Sequence, residues 1–316
     1  MASTMNKAVK VVVFAGNHFC GPVIEMLVQQ QLLAGVVLPQ EPNAFTSQLA
    51  QALAQSQLPM MQFDPLQISA LHNTINSWEA NIGLSFGFEG QLNGLLAQMS
   101  ASNSVDMFAY QTGEAKFAGD YSIYWQVRQQ VKATSARWLK LTLQQPSAVY
   151  QMANEVDFNI HPMDTTGCVE NALLQQIAGF CYQFLHLFSQ GSLDLAPAFN
   201  QDVQRLSLKD DDLRVDWRSM NGEQICALAR AGNPHFGGCV ITINNTDINL
   251  QQASVVDYPT YGVDAGMICA TSESDGVIVA TLDGAIALDI LSNVDGLFSG
   301  ARFCERFGIH AGMAFK

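Results

Sequence analysis

Of the side chains in this sequence that could do chemistry, most are eliminated by their spacing. Gly16-x4-Gly21 has the glycine spacing of a phosphate-binding loop, but Pro22 stands where such a loop needs lysine. No Gly-x-Gly-x-x-Gly occurs, so neither ATP nor NAD is indicated. The seven cysteines (20, 168, 181, 226, 239, 269, 304) form no Cys-x-x-Cys pair and no cluster with histidine at metal spacing. They are expected as buried free thiols, without disulfide or structural zinc. Asp210-Asp211-Asp212 lacks the loop pattern of a calcium site and reads as a solvated stretch. No Ser-His-Asp set can be read, and His161, His186 and His235 are expected in a loop, on a helix surface and in packing. Three residues remain. Tyr110 carries a phenol that can donate a hydrogen bond but, with an ordinary pKa of about 10, is a poor base at neutral pH. Asp157 offers a carboxylate that could hold or polarise Tyr110, or act as a base if desolvated. His18 follows the first apolar run.

These residues must be positioned by the elements around them. Val11 to Ala15 is a β-branched run ending at Gly16, and Gly21-Pro22 opens a helix with proline at its first position. Gly35 to Leu38 is the next strand, stopped by Pro39. Phe45, Leu49 and Leu53, then Ile68, Leu71, Ile75 and Trp78, give apolar stripes at helical spacing. Ile82 to Phe86 is a strand that leads into Gly87-Phe88-Glu89-Gly90. Val105 to Tyr110 is another, followed by a helix over Tyr121 to Val131 and paired strands over Arg137 to Leu143 and Ser147 to Met152. Thr165-Thr166 caps a helix carrying Leu173, Ile177, Phe180 and Phe184. Strands alternating with helices predict an α/β domain with a parallel-rich sheet, whose ligands bind beyond the strand carboxyl ends. Phe88, Tyr110 and Asp157 are predicted to converge there on one cleft, beside His18. The polar stretch 189–212 reads as a linker, and the short strands from Leu213 onward predict a small β-barrel. The expected division is therefore 1–188, linker 189–212, and 213–316.

Phe108 to Trp125, with Gln151 to Asn159, resembles the tetrahydrofolate-dependent formyltransferases, the family of methionyl-tRNA formyltransferase. Gly119, Trp125 and Asp157 match the family pattern, but Phe108 stands at its catalytic Asn, Tyr110 at its His, and Thr112-Gly-Glu-Ala115 at its Ser-Leu-Leu-Pro. Val215-Asp216-Trp217, Arg230 to Gly238 and Gly312-Met313 resemble the family's C-terminal, OB-like barrel. The resemblance implies a Rossmann-like formyltransferase domain followed by that barrel. It also implies 10-formyltetrahydrofolate as cofactor, with Phe86, Gly87, Phe88, Thr112 and Val156 at the folate pocket and His18 and Trp125 at the substrate cleft. In the family an Asn and a His steady the oxyanion and move the amine's proton while an Asp organises the His. Phe108 donates nothing. The family's Asp-x-Gly-x-Asp-x-Gly loop is here Ala153-Asn-Glu155-Val-Asp157-Phe-Asn159, and side chains at both glycine positions are expected to crowd the pterin pocket.

Net charge bears on partners. It is −13, and no Lys or Arg occurs between Lys10 and Lys116, so this region lacks the cations that grip a phosphate backbone; tRNA is not expected as a partner. No apolar run reaches a membrane span, and Met1 to Asn6 has neither the basic nor the apolar part of a signal peptide, so a cytoplasmic protein is expected. Two functions follow. One is a diverged formyltransferase-like protein without classical methionyl-tRNA formyltransferase activity, binding a small molecule or a protein partner at a degenerate site. The other is an active formyl or acyl transferase on a small amine or carrier-bound substrate, using Tyr110 and Asp157.

Overall fold

The computed structural model describes residues 8–88, 92–102, 104–119, 121–144, 147–200, 206–272 and 276–316. In chain order its elements are β1 (Val11–Ala15), α1 (Cys20–Gln29), β2 (Leu33–Leu38), α2 (Ala44–Gln55), β3 (Met60–Gln62), α3 (Ile68–Ser77), β4 (Ile82–Phe86), α4 (Asn93–Ser102), β5 (Asp106–Thr112), α5 (Ser122–Arg128), β6 (Ala133–Gln144), β7 (Ser147–Asn159), α6 (Thr166–Ser189) and β8 (Phe199–Asn200). There follow α7 (Gly222–Ala231), β9 (Cys239–Ile243), β10 (Thr246–Val256), β11 (Ile268–Ser272), β12 (Gly276–Ala280), β13 (Ala285–Asn293), β14 (Gly296–Ser299) and α8 (Gly300–Phe307). The chain forms two compact units that alternate along the sequence. The first holds Met1–Asp120, Thr134–Phe158 and Ala172–Arg205, and the second holds Tyr121–Ala133, Asn159–Asn171 and Leu206–Lys316.

In the first unit an eight-stranded sheet runs β3-β2-β1-β4-β5-β6-β7-β8. β1 is parallel to β2 and β4, and β4 to β5, while β6 returns antiparallel to β5. β1 is apolar at every position because both of its faces are covered, and all five residues are fully buried. One face of the sheet, with Val12, Phe14, Met107 and Ala109, packs on Phe63, Leu71, Leu92 and Leu95. Since successive strand residues point to opposite faces, Phe108 and Tyr110 belong to the other. There Phe108 meets Phe184 edge-on at 4.8 Å, and Trp138 stacks on the same ring at 5.3 Å.

The second unit carries a six-stranded antiparallel sheet, β11-β12-β13-β10-β9, with β14 on β13. Asn221 caps α7 in a capping box with Gln224. Ser299 caps α8, which ends at Gly308 in the left-handed conformation. Side chains tie the two earlier segments into this unit. Tyr124 Oη and Arg128 donate to the Asp212 carbonyl, each at 2.7 Å, and Thr166 Oγ1 donates to the Ala231 carbonyl at 2.7 Å. His235 Nε2 lies 2.7 Å from the Glu170 carboxylate.

Some boundaries differ from the sequence reading. α5 is shorter than 121–131 because Tyr121 and Gln130 bracket it with positive φ of 62° and 55°. β6 and β7 extend well past Arg137–Leu143 and Ser147–Met152. Within 189–212, Ala196 N–H donates to the Met152 carbonyl at 2.9 Å, and Phe199–Asn200 pairs with β7.

Candidate functional site at the strand ends of the first unit

The order of the parallel strands reverses at β1, whose neighbours are β2 and β4, so the crevice beyond the carboxyl ends of β1 and β4 is the topological switch point. Gly16 leaves β1 there with its N–H donating to the Phe86 carbonyl at 2.8 Å. A Cβ on Gly16 would lie 2.4 Å from that same oxygen, so the position admits glycine alone. Asn43, the cap of α2, donates from Nδ2 to the Gly16 carbonyl at 3.3 Å. Half-buried His18 stacks on Phe19 at 4.5 Å, and Phe19 meets Tyr110 at 5.5 Å. Across the β4 end, Gly87 has φ of 82° and turns the chain over. Phe88 therefore enters the opposite core, against Phe14 at 5.9 Å and Phe63 at 5.7 Å. It does not join Tyr110.

On β5, Phe108 and Tyr110 are 1% and 6% exposed. Phe86 lies 5.5 Å from Tyr110, and Trp138, its directly opposed partner on β6, also lies 5.5 Å from it. Burial pushes the phenol's pKa far above its ordinary value, so Tyr110 keeps its proton and is a donor, not a base. Among the described residues neither Tyr110 Oη nor Trp138 Nε1 has a hydrogen-bond partner.

Asp157 lies on β7, exposed, and makes no side-chain hydrogen bond or ion pair among the described residues. It does not hold Tyr110, whose hydroxyl has no partner among the described residues. The stretch Ala153–Asn159 is strand throughout. Glu155, at the first glycine position of the family loop, pairs across to Arg137 on β6. Both side chains are about one-quarter exposed, at 27% and 24%. A side chain fixed in this way occupies space that a glycine leaves to a ligand, so these residues do not fit the close backbone approach by which the resemblance implies a folate site. Val156 is half-buried beside them. Met152 to Glu155 and Asp194 to Pro197 line an open groove of about 370 Å³.

The other sequence candidates separate. Thr112 is buried at the end of β5. Glu114 is exposed and pairs with Lys116 at 3.0 Å, whereas Glu89 lies outside the described residues. Trp125 is in the second unit, buried, with the Arg128 guanidinium 5.2 Å from its ring. Thus Phe86, Phe108 and Tyr110 come together with Phe19 and His18 in the first unit, while Phe88 and Asp157 do not join them, and Trp125 belongs to the second unit. The reading of the sequence missed Trp138, since only the β5–β6 register places it opposite Tyr110. All seven cysteines are free, and Cys168 is exposed where a buried thiol was expected. Among the described residues no group of three His, Cys, Asp or Glu could hold a metal, and no helix is long and apolar enough to cross a membrane.

Residues 207–297 match the formyl transferase C-terminal domain family. No curated protein sequence matches the chain. Among solved structures, the sugar 3N-formyl transferase WlaRD, crystallised with dTDP and 5-N-formyl-tetrahydrofolate, superposes with a TM-score of 0.61 at 12% identity, over 88% of this chain and 96% of that one. The N-formyltransferase of Helicobacter canadensis, in complex with folinic acid and dTDP-3-aminofucose, gives 0.60 at 10% identity, over 88% and 98%. HypX of Aquifex aeolicus, in complex with tetrahydrofolic acid, gives 0.55 at 10% identity over 95% of this chain, which spans 48% of that protein's length. The chain is therefore similar in fold to these formyltransferases over most of its length, and its residues 207–297 match the model of their C-terminal domain.

Proposed function

We propose that this chain is a formyltransferase-fold protein that binds a ligand at the strand carboxyl ends of its first unit and does not catalyse folate-dependent formyl transfer. The observation that carries the reading is the packing of Phe108 and Tyr110. At the two positions where the family has its catalytic Asn and His, the side chains are buried in an aromatic layer, and among the described residues no carboxylate reaches the Tyr110 hydroxyl. Loss of one oxyanion donor alone costs about 3 kcal/mol of barrier, or two to three decades in rate. A phenol held neutral by burial cannot replace the lost base. The strand at Ala153–Asn159 supports the same conclusion for the folate side of the site.

The test is an assay of tetrahydrofolate release from 10-formyltetrahydrofolate, with amine acceptors that include dTDP-linked amino sugars, since dTDP-3-aminofucose is held by one structural neighbour. No release above the uncatalysed background is expected. Turnover that Tyr110→Phe or Asp157→Asn abolishes would establish the active-transferase alternative instead.

A further inference from the structure

In the second unit, β14 carries apolar side chains at a place where sheets are ordinarily polar. Among the described residues it pairs with β13 alone, so its outer edge is open. Native sheets blunt such edges with charges, proline or a covering element. Gly296-Leu297-Phe298-Ser299 holds no charge and no proline. Leu297 is 62% exposed on one face of the strand, and Val294, in the turn before it, is fully exposed. On the other face Phe298 meets Phe303 edge-on at 5.8 Å and Phe307 at 5.9 Å. Phe307 is itself 37% exposed, and the Arg306 guanidinium lies 5.7 Å from the rings of both Phe298 and Phe307. Apolar residues on both faces are the pattern of a strand inside a sheet, not at its border.

We propose that β14 pairs antiparallel with β14 of a second copy of this chain across a two-fold axis, which makes the two sheets continuous. This goes beyond the function proposed above and does not depend on it. Symmetry restricts the register, because an axis that adds an antiparallel strand to its own copy passes through one residue, which then meets itself. With the axis at Leu297, Leu297 opposes its own copy, Gly296 opposes Phe298, and Asp295 opposes Ser299. The Phe298 ring then lies across from a glycine, which leaves it room and covers the bare backbone there. Asp295 comes to the cap of α8, where Ser299 Oγ accepts from the Arg302 N–H at 3.4 Å and where the helix N-terminus favours a negative charge. No like charges are brought opposite one another, and Leu297 on Leu297 is an apolar cross-strand pair of the kind that stabilises a ladder. This match of the strand to itself, in size and in charge, selects a second copy as the occupant over an unrelated protein.

The experiment is sedimentation equilibrium on the full chain from micromolar to submillimolar concentration, with Leu297→Lys and Leu297→Glu as variants. Leu297 is exposed, so neither substitution disturbs the core, and circular dichroism checks that both variants fold. The wild-type chain is expected to reach the mass of two chains. Because residue 297 meets its own copy, either charge sets like against like, and each variant alone should dimerise at least about tenfold more weakly. An equimolar mixture of the two variants sets Lys against Glu and should recover the mass of two chains, which a loss of general hydrophobicity would not produce. The proposal is overturned if the wild-type chain stays monomeric over the whole range, if either variant dimerises as the wild type does, or if the mixture associates no better than each variant alone. The formyl-transfer assay above is read separately, so failure of this interface and failure of the functional reading are distinguishable.

Discussion

Replacing Tyr110 by phenylalanine is expected to stabilise the unliganded protein. The hydroxyl lies in a residue 6% exposed, with Phe19, Phe86 and Trp138 within 5.5 Å between ring centroids, and it has no hydrogen-bond partner among the described residues. Burying an unpaired hydroxyl costs about 1–3 kcal/mol, and phenylalanine keeps the ring and its packing. Tyr110→Phe should therefore gain about 1–2 kcal/mol, a rise in Tm of about 3–6 °C. The sign is diagnostic because most substitutions destabilise. The pH dependence follows from the raised pKa of the buried phenol. Below the unfolded-state pKa of about 10 the proton is bound in both states and the gain is constant. Above it the unfolded wild-type chain releases the proton and the folded one does not. Wild-type stability then falls with rising pH, and the advantage of the variant grows. Urea unfolding followed by Trp fluorescence and scanning calorimetry measures both effects. A loss of about 1 kcal/mol or more in Tyr110→Phe would refute the reasoning, because it would mean that the hydroxyl has a partner in the folded chain.

Two further outcomes follow from the geometry. Gly16→Ala would place a Cβ 2.4 Å from the Phe86 carbonyl oxygen, in backbone that cannot yield without separating β1 from β4, and should cost about 2–3 kcal/mol in urea unfolding. Asp247 accepts from both Arg214 and Thr242, which hold its carboxyl down to about 2. Carbon-detected NMR should show its titration near that value, and Arg214→Met should return it toward the ordinary range. A depressed carboxyl contributes stability that is present above its unfolded pKa, so that contribution is lost as pH falls from about 4 through about 2, and Asp247→Asn should remove this part of the acid dependence.

Much of the first unit was legible because local signals and tertiary structure agree there. Val11 to Ala15 reads as a strand and Gly16 as a turn, and both are as read. Where the reading fell short, the deciding contacts were distant in sequence. α5 and the start of α6 belong to the second unit through Tyr124 and Arg128 on Asp212 and Glu170 on His235, separations of 65 to 88 residues that no periodicity reveals. Phe88 follows a strand, as expected of a cleft residue, but the positive φ of Gly87 turns it into the other core. For β7, the sequence shows side chains at both glycine positions of the family pattern, but not that Glu155 takes Arg137 as a partner within a continuous strand. Trp138 was invisible as a site residue, since its place opposite Tyr110 is a matter of register.

Positions 108 and 110 serve packing where the family pattern has its catalytic pair, and the unfolding midpoint of the double variant Phe108→Asn, Tyr110→His is the measurement that bears on this first. Phe108 is 1% exposed against Phe184 and Phe188, so losing its ring and burying two polar groups should cost more than about 4 kcal/mol or prevent folding. A double variant that unfolds within about 1 kcal/mol of the wild type would contradict the account, because it would mean that the two positions still face a polar, solvent-reached site.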